Sequence, residues 1–100
     1  MHLITDNIQK IFTLCIKYKV KALYVFGSIL TPRFNDKSDV DFSATFYHDS
    51  DPLVAGENFM NFYMDLEKLM GRPIDLVDED FIKNKYFREE LDETKQLIYG

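Results

Sequence analysis

Ten residues separate Gly27-Ser28 from Asp39-Val40-Asp41, and an apolar run at residues 22–26 leads straight into the glycine. That arrangement reads as a buried strand that stops abruptly at Gly27, with a turn or short helix opening at Ser28. Unpaired backbone N–H groups at such an opening, together with the Ser28 hydroxyl, suit phosphate oxygens. Glycine leaves room for a phosphate to come close where a side chain would fill the space.

A second strand follows. Val40, Phe42, Ala44 and Phe46 alternate with Asp41, Ser43, Thr45 and Tyr47, so one face is buried and Asp39 and Asp41 share the other. Two carboxylates at i and i+2 repel one another and raise a pKa, a penalty that a divalent cation with a preference for oxygen ligands removes. Magnesium is the expected ion. Residues 73–80, PIDLVDED, read as a third strand with Ile74 and Leu76 on one face and Asp75 and Val77 on the other. An acid inside an apolar strand costs several kcal/mol unless it is paired or metal-bound. Asp75 is therefore expected beside the Asp39/Asp41 pair on an adjacent strand, and a phosphate cradle next to metal-holding acids implies nucleotidyl transfer.

These residues resemble the minimal nucleotidyltransferases, or MNT domains, of the polymerase-beta-like superfamily, whose signature is an apolar residue, Gly-Ser, a short spacer and Asp-x-Asp. The likeness covers most of the chain. It implies an α+β fold, a small mixed β-sheet flanked by helices, as a single domain over residues 1–100. It also implies two Mg²⁺ ions held by Asp39, Asp41 and Asp75 as the catalytic set, with Asp75 either completing the second ion or acting as base. ATP is the implied substrate, its phosphates held by Gly27, Ser28 and Arg33. Where family members have an arginine-containing segment and a second glycine after Gly-Ser, this chain has Ile29-Leu30-Thr31-Pro32-Arg33. Pro32 is expected in a first helical turn, where its missing N–H forfeits no bond. Arg33 then supplies the charge from a shifted position, or phosphate affinity is weaker.

Short domains of this family commonly pair with HEPN proteins, small helical toxins, and some add AMP to a toxin tyrosine. The resemblance thus implies an ATP-dependent protein adenylyltransferase antitoxin with a HEPN toxin as partner. Two alternatives stand beside it: a noncatalytic module that neutralises a partner by binding alone, and a small-molecule nucleotidyltransferase acting as a homodimer.

Composition narrows the classes. One hundred residues with 46% hydrophobic and 15% aromatic content suffice for one core without disulfides. The net charge of −5 argues against general nucleic-acid binding, which needs clustered Lys and Arg. Lys83, Lys85 and Arg88 form a local basic cluster, read first as the solvated side of a helix and second as a phosphate or partner contact. Cys15 stands alone. It reads as a buried thiol and fits a reducing cytoplasm. With no charged leader and no long apolar stretch, a cytoplasmic protein that does not span a membrane is expected.

The remaining pattern is helical. Thr5 or Asp6 is expected to cap a helix bearing Ile8, Ile11, Phe12, Cys15 and Tyr18 and ending near Lys19. Asp51-Pro52 opens a second helix whose stripe of Phe59, Phe62, Tyr63, Leu66 and Leu69 reads as core, and Gly71 ends it. Residues 86–94 read as a third helix, and residues 96–99 as a closing strand. Glu57, Asp65 and Glu67 are expected as exposed helix acids, Asp78, Glu79 and Asp80 as loop or cap, and His2 and His48 at the surface.

Overall fold

A computed structural model describes residues 2–100. A helical turn α1 (His2–Thr5) precedes α2 (Ile8–Lys17), then β1 (Val20–Phe26), a single 3-10 turn at Gly27–Leu30, and β2 (Val40–Phe46). Helix α3 (Pro52–Met70), β3 (Ile74–Asp78), a 3-10 turn at Glu79–Phe81, α4 (Lys85–Thr94) and β4 (Gln96–Tyr99) complete the order. The strands form one sheet in the order β3-β2-β1-β4. Strand β1 is antiparallel to β2 and β4, and β2 is parallel to β3. A parallel pair needs a long crossover. Helix α3 supplies it, and its ends are well marked: Asp51 Oδ1 accepts from Leu53 N at 3.0 Å with Pro52 in the first turn, and Gly71 closes it at φ 69°.

The two sheet faces differ in chemistry. Leu23 and Val25 of β1, Val40, Phe42 and Ala44 of β2 and Ile74 of β3 are buried with Ile11 and Cys15 of α2 and Phe62 and Leu66 of α3. Phe46 extends this core, its ring 5.8 Å from Phe59 and 6.1 Å from Phe62. The opposite face pairs Tyr24 with Ser43 and Phe26 with Asp41. There α4 packs through Phe87, 5.9 Å from the Phe26 ring.

The mixed α+β sheet and the single strand alternation at β2 match the sequence reading, while several boundaries do not. Asn7, not Thr5 or Asp6, occupies the N-cap position of α2 without a side-chain cap; its Nδ2 donates back to Leu3 O at 2.8 Å. Thr5 belongs to the preceding turn, which the sequence pattern did not separate from α2. Pro32 lies beyond the 3-10 turn and not within its first residues, because Thr31 N and Oγ1 both bond Ser28 O and close the turn first. Asp65 is half-buried and accepts from the Tyr18 hydroxyl, so it is not a free helix acid. Glu67 is half-buried as well, with Tyr63 Oη 3.4 Å away. Glu57, His2 and His48 are exposed. Cys15 is fully buried, and burial pushes its thiol up to about 12.

Candidate active site

Gly27 closes β1 with φ +75°, a conformation that side-chain-bearing residues avoid. Its position is fixed by a neighbour. A Cβ on Gly27 would stand 2.2 Å from Asp41 Oδ2. The glycine thus makes room for the carboxylate of the next strand as well as for any ligand. The 3-10 turn that follows is held by Thr31 N to Ser28 O at 2.9 Å and Thr31 Oγ1 to Ser28 O at 2.8 Å. These bonds use the Ser28 carbonyl and leave its hydroxyl without a partner among the described residues.

Asp41 is opposite Phe26 on one side and Asp75 on the other, because β2 and β3 are parallel and in register at Asp41↔Asp75. This is the placement the alternation predicts. Burial, followed by the Asp75 charge, a hydrogen bond shared with Asp75 and the Asp39 charge, raises the Asp41 pKa above the ordinary carboxylate value. Asp39 stands just before β2 and is exposed, as is Asp75. Among the described residues no three acidic, histidine or cysteine side chains converge closely enough to form a metal cage on their own. The Asp41/Asp75 pair nevertheless has the chemistry that suits a hard divalent cation: two carboxyl groups side by side on neighbouring strands, whose repulsion helps to raise the Asp41 pKa.

The loop that carries Asp39 is pinned from the far side. Arg72 Nη1 donates to Asn35 O at 3.0 Å and Ser38 O at 3.1 Å, and its guanidinium lies 5.0 Å from the Phe34 ring centroid. Asn35 Oδ1 accepts from Lys37 N at 2.8 Å, and Asn35 N donates to Ser38 Oγ at 3.1 Å. Arg33 is in the same loop, exposed, with its backbone N donating to Thr31 Oγ1 at 3.3 Å.

Glu79 was missed in the sequence. Expected in a loop or cap, it is 4% exposed and forms the centre of a polar network. Glu79 Oε2 accepts from Ser43 Oγ at 2.9 Å, and Oε1 accepts from Arg88 Nη1 at 2.8 Å and Lys95 Nζ at 2.9 Å. The second Arg88 nitrogen donates to the Glu79 carbonyl. Burial acts to raise the Glu79 pKa, and the hydrogen bonds from Lys95, Arg88 and Ser43 together outweigh it and lower the pKa. Asp92 joins through Lys95 at 3.0 Å and Arg88 at 3.4 Å, and Lys95 Nζ stands 4.2 Å from the Tyr24 ring centroid. Arg88 is therefore committed to an internal ion pair and is not part of a solvated basic face; Lys83 and Lys85 remain exposed. Two sequence features mark the partners but not Glu79 itself: a serine on the acid-bearing face of β2, and Arg88, Asp92 and Lys95 at helical spacing. Asp78 does cap, accepting from Asp80 N at 3.1 Å.

The sequence profile of the family described as Polymerase beta, Nucleotidyltransferase matches residues 9–100. The chain belongs to that nucleotidyltransferase family. As a member it is an enzyme whose general reaction is nucleotidyl transfer. A candidate protein adenylyltransferase of Methanocaldococcus jannaschii is 37% identical over 83 residues, which span 83% of this chain and 79% of the relative. Among solved structures, a candidate minimal nucleotidyltransferase superposes with a TM-score of 0.74 at 23% identity, covering 96% of this chain and 95% of its own. A chain from the complex of a tri-AMPylated Shewanella oneidensis HEPN toxin with an MNT antitoxin superposes with a TM-score of 0.65 at 19% identity, covering 96% of this chain and 71% of that one. At those identities the two structures show a shared minimal nucleotidyltransferase fold. No helix of the described residues is long and apolar enough to cross a membrane.

Proposed function

We propose that this nucleotidyltransferase transfers AMP from ATP to a hydroxyl of a partner protein, with a tyrosine of a HEPN-type toxin as the acceptor. The observation that carries the reading is the register of Asp41 with Asp75 beside the side-chain-free Gly27. It places a repelling carboxylate pair next to a turn suited to phosphate. The relative named as an adenylyltransferase supports AMP as the transferred group, and the solved complex containing a tri-AMPylated HEPN toxin supports the acceptor.

Gly27 and Ser28 would hold the triphosphate, Arg33 would reach it from the following loop, and Asp39, Asp41 and Asp75 would hold two Mg²⁺ ions. Bound Mg²⁺ would neutralise the triphosphate charge and acidify the acceptor hydroxyl. Asp75, on the strand farthest from the Gly27 turn, faces the acceptor, whose proton would pass to an Asp75 oxygen if that oxygen is the base and not a metal ligand. The acceptor oxygen then bonds the α-phosphorus as the bond to pyrophosphate breaks. The acceptor belongs to the partner, and the soluble MNT–HEPN pairing is an intracellular, cytoplasmic one.

The test is incubation with purified HEPN protein from the neighbouring gene, Mg²⁺ and ATP, read by intact mass. A mass gain of one or more AMP units on the HEPN chain, absent with Asp41→Asn, is expected. An unmodified HEPN chain that still forms a tight complex would leave binding alone as its mode of action.

A further inference from the structure

A cavity of about 550 Å³ lies between the Gly27 turn and α4, in the range that holds a drug-sized ligand. Gly27 is part of its wall, so it opens directly onto the turn that the proposed function assigns to phosphate. Its lining separates into two kinds. Phe26, Leu30, Phe87 and Leu91 supply apolar and aromatic surface, and Gln96 and Glu90 supply hydrogen-bonding groups at the rim. Glu90 is the one charged residue in the lining, which contains no lysine or arginine. A phosphate placed here would meet a carboxylate and no cation. A neutral, flat, hydrogen-bonding group meets aromatic walls and both an acceptor and an amide.

We propose that this cavity receives the nucleoside part of the nucleotide, with the base against Phe87 and its polar edge towards Glu90 and Gln96. The assignment rests on the proposed triphosphate position at Gly27 and Ser28. Sheet order favours the nucleoside over the acceptor: the cavity lies on the β1/β4 side, whereas Asp75 is on β3 at the other edge. The other large groove, about 730 Å³ and lined by Phe46, Tyr47 and Phe81, does not compete. None of its lining residues belongs to the Gly27 turn, and its nearest approach to the acids is Asp78, three residues beyond Asp75 on the β3 side of the sheet, away from the proposed triphosphate position. Helix α4, held by Arg88 and Lys95 to Glu79, is thus the wall that closes over the nucleoside.

The assignment is tested by filling the cavity from exposed positions, with Thr94→Trp and Gln96→Trp. Calorimetric titrations in Mg²⁺ compare ATP with inorganic tripolyphosphate, and thermal melts confirm folding. At least one variant is expected to weaken ATP binding tenfold or more while its tripolyphosphate affinity stays within twofold of wild type. Unchanged ATP affinity in both variants, with or without a raised KM for the protein acceptor, overturns the nucleoside assignment. So does equal weakening of both ligands in a protein with an unchanged melting temperature, which would give the cavity to the phosphates. Failure of the wild-type protein to bind either ligand is a separate outcome: it defeats the phosphate site at Gly27 and Ser28, and this assignment with it.

Discussion

Gly27 and Asp41 occupy one another's space: a Cβ at residue 27 would lie 2.2 Å from Asp41 Oδ2 and 3.2 Å from its Cγ. The contact joins the end of β1 to the acid-bearing face of β2, so the glycine and the aspartate of the motif form one geometric unit.

Gly27→Ala tests that unit. The positive φ costs an alanine about 1–2 kcal/mol, and the clash falls on a carboxylate end that can swing away. Stability should therefore drop by no more than that amount. Transfer activity should fall much further, about a hundredfold, since a misplacement of about 1 Å can cost that much. Thermal melts and AMP transfer rates measured on the same preparation check both; a variant with normal turnover would show that Asp41 tolerates displacement.

Asp75→Asn separates a ligand for metal from a structural acid. The Asp41 pKa is raised in the folded protein by burial and then by Asp75. A carboxyl raised on folding contributes stability below its unfolded value, 3.8, and that contribution is lost as pH rises through the higher folded value. Metal-free protein at neutral pH therefore carries an unfavourable charge pair. Replacing Asp75 should leave the metal-free melting temperature unchanged or higher and shrink the further rise produced by Mg²⁺ with nonhydrolysable ATP. A clear loss of metal-free stability with a preserved ligand shift would remove Asp75 from the metal set.

Glu79 predicts the opposite pH behaviour. Its pKa is lowered from 4.5: burial opposes this, but bonds from Lys95, Arg88 and Ser43 prevail. Its stabilising contribution is present above 4.5 and lost as pH falls through the lower folded value. Removing one partner of a buried ion pair costs about 3–5 kcal/mol. Arg88 and Lys95 retain Asp92 and some water, so Glu79→Ala should cost about 2 kcal/mol in this network. Denaturant midpoints between neutral and acid pH should show a large loss at neutral pH that narrows in acid. A loss of equal size at every pH would assign the effect to packing.

The strand alternation at β2 and β3 is a local signal of period two, and it located Asp41 and Asp75 on one face before any fold was known. Register between those strands came out as expected because each carries a buried apolar set, Val40, Phe42 and Ala44 against Ile74, that fixes which face turns inward. Glu79 was not legible in the same way. Its partners come from β2, α4 and the residue before β4, and sequence separations of 36, 9 and 16 leave no periodic trace. The start of α2 was misplaced for another reason: α1 and α2 are separate helical segments joined by a turn, and capping residues in that turn look alike from the sequence.

Arg72, which holds the loop leading into Asp39, yields the last prediction. Its guanidinium bonds the carbonyls of Asn35 and Ser38, immediately before Asp39, and covers Phe34. Nothing else described ties the end of α3 to this loop with side-chain hydrogen bonds. Two hydrogen bonds from a charged donor are worth about 1.5–3 kcal/mol each when fully buried. Asn35 is exposed and Ser38 half-buried, so Arg72→Met should cost only about 1 kcal/mol of stability. The larger consequence falls on Asp39, whose backbone is then free to drift from Asp41. The Mg²⁺ concentration giving half-maximal transfer should rise several-fold, while ATP affinity measured at saturating Mg²⁺ stays near wild type. Arg72→Lys, which keeps the charge but not the forked geometry, should restore little of it. Full recovery by lysine would mean that the charge near Asp39 matters, and that holding the loop does not.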